Sequence, residues 1–307
     1  MNQTLVTEFF VKGFSETPHL QPLFFVFFLS LYTVALSGNI LIFVTISFNS
    51  TLHTPMYFFL VNLAVVDILC TSTILPKLLG NMVGRKTISY EGCMAQLYFF
   101  TLSLGAELLL FTAMAYDHVA ICHPLHCSTM MSKRVCMLLA AGVWSISILN
   151  TSINSIHTGL MIQLTFCGPN KINHFLCEIP SLLLLSCTST YLNNIMIIIA
   201  DIYFGVINFV LTMVSYGFII CSILKIRTTE GKKKAFSTCS SHLIVVTIYY
   251  TTVIYTYILP GSGSSMDNVK VVAVLYTTIS PTLNPLIYTL RNKDFKIALK
   301  KIFPFIK

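Results

Sequence analysis

Charge is what this sequence has least of. Asp, Glu, Lys and Arg make up 10% of its 307 residues, against 55% hydrophobic residues. Soluble domains carry about 25% charged residues. None of the four occurs from Thr17 to Val66, nor in Val135–Asn170, Ala235–Met266 or Val271–Leu290. Mean hydropathy is +0.79. So much apolar surface on one chain excludes water as the solvent for most of it. The apolar runs also lack the alternation of barrel strands, which are about ten residues long. They have instead the length of bilayer-spanning helices, about 20 apolar residues each. Candidate spans fall near 22–48, 56–79, 93–122, 136–160, 194–224, 235–259 and 270–290, and only isolated acids interrupt the third and fifth. The expected fold is an all-α membrane protein, a bundle of seven transmembrane helices.

Other absences narrow the function. The opening segment MNQTLVTEFFVKGFSE lacks a basic stretch, and the apolar run behind it is too long for a cleaved signal peptide. No HExxH, GxSxG, P-loop or GxGxxG pattern occurs, and no acid completes a recognisable triad with Ser and His. No enzyme is expected. Nor is there a soluble basic domain for a nucleic acid. The net charge of +8 reads instead as an insertion signal and a contact with lipid headgroups. With the N-terminus outside, 13 of the 19 basic residues fall in inner loops and the tail. The protein is then multi-pass in the plasma membrane, with a cytosolic C-terminus. Residues 1–21 form the extracellular N-terminus, 22–290 the bundle and 291–307 a cytosolic tail. In that tail Phe295, Ala298, Leu299 and Ile302 share one helical face, with Lys296, Lys300 and Lys301 elsewhere. This pattern predicts a short amphipathic helix on the inner leaflet. The triplet Asn2-Gln3-Thr4 is a glycosylation sequon that fits an outer N-terminus.

Against this background the few polar groups in the runs stand out. Asp67, Glu107, Asp117 and Asp201 lie within spans. A charge at mid-bilayer costs about 2.5–3.5 kcal/mol on insertion scales, so such residues face the bundle interior. Asp67 and Glu107, with Asn39 and Asn284 near them, read either as a shared ion or proton site or as a hydrogen-bonded brace between helices. Asp201 reads either as a selector of cationic or hydrogen-bonding ligands or as a structural hydrogen bond. Cys93, Cys167, Cys177 and Cys187 fall on the oxidising side, where four cysteines allow three pairings. The stretch MAYDHVAICHPLHC (114–127) holds metal-capable His and Cys, yet Pro124 breaks the helix and keeps them from one face. An inner-rim loop is expected there. SPTLNPLIY (280–288) puts two prolines into a span and predicts a kink.

LHTPMYFFL (52–60), MAYDHVAICHPLH (114–126), KAFSTCSSHL (234–243) and PTLNPLIYTLRN (281–292), in this order, resemble an odorant receptor of the rhodopsin-like G-protein-coupled class. The resemblance covers nearly the whole chain. It implies a small volatile odorant bound in the outer half of the bundle and a stimulatory olfactory heterotrimeric G protein as inner partner, raising cAMP. It implies disulfides Cys93–Cys177 and Cys167–Cys187. It assigns ligand contact to Phe100, Thr101, Leu104, Gly105, Asp201, Phe204, Tyr249, Val253, Thr256, Val274 and Thr277. It requires no cofactor, but Asp67 and Glu107 match the internal acidic site where sodium sits. Coupling residues by the same carry-over are Asp117, His118, Tyr216, Asn284, Pro285 and Tyr288.

Two departures matter. The family's Phe-Tyr-Gly on the sixth span reads Ile248-Tyr249-Tyr250 here. More seriously, the pattern MAYDRYVAIC is MAYDHVAIC, one residue short after Asp117. His118, with an unperturbed pKa near 6.5, replaces a permanent cation, and impaired coupling is expected. Rival readings fare worse. A retinal photoreceptor needs a lysine in the seventh span, which has none. A receptor that grips an amine from the third span needs an acid one or two turns inside it, but Glu107 lies about four turns below Cys93. A transporter would show paired broken helices.

Overall fold

Each of the seven apolar runs forms a helix. In the computed structural model, which describes residues 7–13, 19–122, 131–165, 169–187, 189–225, 228–257, 266–290 and 293–302, the spans are α1 (Gln21–Ser47), α2 (Pro55–Met82), α3 (Tyr90–Cys122), α4 (Lys133–Thr165), α6 (Tyr191–Lys225), α7 (Thr229–Tyr257) and α8 (266–290). A short α5 (Ile179–Leu183) lies in the loop between α4 and α6, and α9 (Lys293–Ile302) follows the last span. α1 through α4 and α6 are long and apolar enough to cross a membrane by length and composition alone. α7 carries a shorter apolar stretch, His242–Thr256.

The outward faces are apolar. Leu138 on α4 is 72% exposed and Phe218 on α6 is 57% exposed. Such side chains belong in lipid, and the polar residues turn inward, as the cost of lipid-facing charge demands. Close packing of α1 against α8 depends on a glycine. A Cβ on Gly38 would sit 2.8 Å from the Pro285 Cβ.

Two spans contain a π-helical turn, Asp201–Ile207 in α6 and Leu275–Ile279 in α8. The first is supported by a side chain. Asn208 Nδ2 donates to the Tyr203 carbonyl at 2.7 Å. Asn208 Oδ1 in turn accepts from Thr112 Oγ1 on α3 at 3.1 Å, tying α6 to α3. π-turns of this kind re-aim side chains and recur at functional sites.

A three-stranded sheet covers one end of the bundle, an element not read from the sequence. Its order is β2-β1-β3, with β1 (Glu8–Val11) central, antiparallel to β2 (Thr87–Ser89) and parallel to β3 (Lys171–Ile172). Phe9 and Val11 point inward from β1 and are buried, and Phe9 joins Cys93, Leu97, Ile162 and Cys177 in a small apolar cluster. At the opposite end α9 has the expected amphipathic form. Phe295 and Ala298 are buried while Lys296, Lys300 and Lys301 are exposed.

Candidate functional site

The sheet end of the bundle holds a cavity of about 90 Å³. On α3 the residues Phe100, Thr101, Leu104, Gly105 and Leu108 line it, one face of a helix by their spacing. α6 adds Ile197, Ala200, Asp201, Phe204 and Gly205, and α7 adds Val253. α4 contributes Asn150 and Asn154, and the loop after Cys177 contributes Glu178, Ile179 and Pro180. The absence of a side chain at Gly105 makes room, since a Cβ there would lie 3.3 Å from the Phe204 ring.

Seven of the ligand candidates from the sequence therefore meet in this space: Phe100, Thr101, Leu104, Gly105, Asp201, Phe204 and Val253. Four do not line it. Tyr249 is buried below, edge-on to Phe111 with ring centroids 5.3 Å apart and turned toward Glu107. Thr256 and Thr277 spend their hydroxyls on their own helices, at Thr252 O and Ala273 O. Val274 packs in the main apolar core.

Sequence reasoning missed the α4 amides and the loop. Asn150 and Asn154 had a signal, an i,i+4 amide pair inside a charge-free run. Ile197, Ala200 and Gly205 lie on the same stripe as Asp201 and Phe204. Glu178 had none, because a loop acid is ordinarily solvated. Here it is only 5% exposed. Its Oε1 accepts from Ser181 Oγ at 3.0 Å and lies 3.7 Å from His174 Nε2. His174 is itself buried and stacks on Phe175. Burial holds its pKa below the usual histidine range, Lys270 adds to this, and Glu178 opposes it. Lys270 Nζ donates to Asn173 Oδ1 at 3.2 Å, which ties the loop to α8.

The disulfide Cys93–Cys177 anchors this loop to α3, with Cα atoms 5.5 Å apart. Gln96 reinforces it, accepting from the Cys177 amide at 2.9 Å. Cys187 is also disulfide-bonded. Cys167, its expected partner, lies outside the described residues, as does Asn2. Non-reducing peptide mapping is expected to find Cys93 linked to Cys177 and Cys167 to Cys187. A free Cys93 thiol in surface-expressed protein would overturn the first pair.

Beneath the cavity α2, α3 and α8 bring two fully buried carboxylates into one cluster. Asp67 Oδ2 accepts from Asn284 Nδ2 at 2.9 Å, and Glu107 Oε1 accepts from Ser280 Oγ at 3.4 Å. Asp67 Oδ1, Glu107 Oε2 and Asn284 Oδ1 find no hydrogen-bond partner among the described residues. Asn39 braces the same region through Nδ2 to the Pro281 carbonyl at 3.0 Å. These three oxygens, one from each carboxylate and one from the Asn284 amide, are donors of the type a hard cation takes.

Toward the far end Asp117 is 1% exposed, and its Oδ2 has no partner among the described residues. α3 continues without a break to Cys122. The side chains of His118 and Tyr288 lie outside the described residues. Tyr216 on α6 is buried and its hydroxyl bonds His242 Nδ1 on α7. Pro285 packs against Gly38.

The comparisons agree along the chain. The family model described as "Olfactory receptor" matches residues 28–305. Human olfactory receptor 13A1 is 59% identical over 308 residues, covering 100% of this chain and 93% of that protein. Human olfactory receptor 13G1 is 54% identical, covering 100% of both. Mouse olfactory receptor 5AR1 is 46% identical over 98% of this chain and 97% of its own length.

Proposed function

Because the chain belongs to the olfactory receptor family, a family of multi-pass membrane receptors and not of enzymes, we propose that it binds a small volatile ligand in the cavity between α3, α4, α6 and α7 and signals through a stimulatory heterotrimeric G protein to raise cAMP. One observation carries the placement. Seven residues that the family resemblance assigns to ligand contact line one mostly apolar cavity with a few polar groups, the usual make-up of a small-molecule site. The orientation follows from the lysine and arginine bias, with the N-terminus outside and the α9 end in the cytosol. This puts the sheet, the Cys177 loop and the cavity mouth on the outer side, and Asn2 where it can be glycosylated.

Asp67, Glu107 and Asn284 would hold a sodium ion. The ion would supply the positive charge that two buried like charges require. Tyr216, Asn284, Pro285 and Asp117 lie on the elements that would rearrange toward the G protein.

The test is an odorant panel with a cAMP readout, run on the chain and on a form carrying Arg-Tyr in place of His118. In the responding form, Thr101→Leu, Phe204→Trp and Val253→Phe are each expected to shift the dose response at least about tenfold. That is the scale of losing one or two well-packed contacts, about 1.4 kcal/mol per factor of ten. Three unshifted curves would place the ligand elsewhere.

A further inference from the structure

We infer that the ligand class selected by the cavity is a protonated amine, held by Asp201; this rests on the cavity being the ligand site. Asp201 opens the π-turn of α6 and lies on the inward stripe with Ala200, Phe204 and Gly205, while Ile198, Ile199 and Ile202 face outward. Its carboxylate has no hydrogen bond or ion pair among the described residues. No polar group among the described residues consumes it, so the structural reading of Asp201 has no partner there to support it.

The rest of the lining points the same way. Glu178 is the second ionisable group on the wall, and no Lys, Arg or His among the described residues lines the cavity. Its carboxylate already accepts from Ser181 and faces His174, while Asp201 remains the open acceptor. A carboxylic acid ligand would meet the Asp201 carboxylate with no lining Lys, Arg or His among the described residues to offset it. A neutral ligand offers Asp201 no charge to pair with, so the desolvated acid must meet it unpaired or protonated, whereas a cation pairs with the ionised form. An alkylamine is protonated at neutral pH, like lysine with a pKa near 10.4. Its ammonium satisfies Asp201, and its chain fills the space lined by Phe100, Leu104, Phe204 and Val253. Asn150 and Asn154, the second donating to the first at 3.1 Å, also line the cavity. The counter-ion thus comes from α6, while the α3 wall supplies only apolar and hydroxyl groups.

The experiment uses the full chain in lipid nanodiscs and follows ligand-dependent thermal stabilisation, which needs no G protein. Straight-chain amines of four to ten carbons are titrated beside alcohols and carboxylic acids of equal length. The best amine is expected to half-saturate at a concentration roughly ten- to a hundredfold below its matched alcohol, the scale of one charge-assisted hydrogen bond. The acid should give no shift. Asp201→Asn should raise the amine's half-saturation by that factor and leave the alcohol's unchanged. Gly105→Val, or Val253→Phe should the first not fold, should weaken both. Equal affinity for amine and alcohol, no binding by any amine, or an unchanged amine curve in Asp201→Asn overturns the amine assignment. If both cavity-filling variants bind every ligand as the parent does, the cavity reading itself fails.

Discussion

Replacing His118 with Arg-Tyr, so that the stretch reads Asp-Arg-Tyr-Val, is expected to raise the maximal cAMP response at matched surface expression about tenfold, within the roughly 5–150-fold range of typical coupling energies. The physical reason has two parts. Asp117 is buried at the far end of α3 with one carboxylate oxygen lacking a partner among the described residues, and a guanidinium would both neutralise it and offer a long, permanently charged arm to a G protein. Histidine is shorter and mostly neutral at pH 7. The second part is rotation. α3 runs unbroken through Cys122, so no bulge takes up the missing residue. Against the pattern MAYDRYVAIC, each helical position after Asp117 is filled by the residue one further on, a turn of about 100° and a rise of about 1.5 Å. His118→Arg without the added residue should recover less than the two-residue replacement, which separates charge from rotation. A parent chain that responds as strongly as the repaired one sinks this reading.

Sodium is expected to stabilise the parent receptor and to lose that effect in Asp67→Asn and in Glu107→Gln. With choline as the balancing cation, raising sodium to a hundred times its dissociation constant should add about 2.7 kcal/mol of apparent stability, read as a rise in the unfolding midpoint. Either amide keeps the side chain's volume and a hydrogen bond toward Asn284 or Ser280 while removing one of the two charges. In choline alone the amide variants should be at least as stable as the parent, because the like-charge pair is gone. The same sodium increment in parent and variants would leave the cluster as a hydrogen-bonded brace between α2, α3 and α8.

The resemblance named Phe100, Thr101, Leu104 and Gly105, and their spacing puts them on one helical face that the structure turns to the cavity; Asp201 was legible from its own position, since an acid within a span faces inward. Tyr249, which the resemblance puts beneath the ligand, lies below the cavity rather than on its wall. Tyr250 reaches the Leu108 carbonyl at 3.3 Å, while Tyr249 is directed into the acidic cluster. A helical pattern assigns a face but not the depth at which that face meets another helix.

What the sequence determined by itself was everything set by the solvent and the chain's own period. Charge-free runs of spanning length dictated seven membrane helices. The apolar face of α9 appeared where Phe295 and Ala298 predicted it, and the shortened stretch after Asp117 was plain in the string of residues. Only the tertiary structure decided which walls close the cavity. The loop after Cys177 folds inward because the disulfide to Cys93 and the bond from Gln96 hold it there, and this buries Glu178 in the wall. The π-turn at Asp201 is supported by Asn208, which reaches back to Tyr203 in its own turn and accepts from Thr112 on α3, far away along the chain. Long-range packing of this kind leaves no period in the sequence, since each partner satisfies a backbone or side-chain group that its own segment cannot reach.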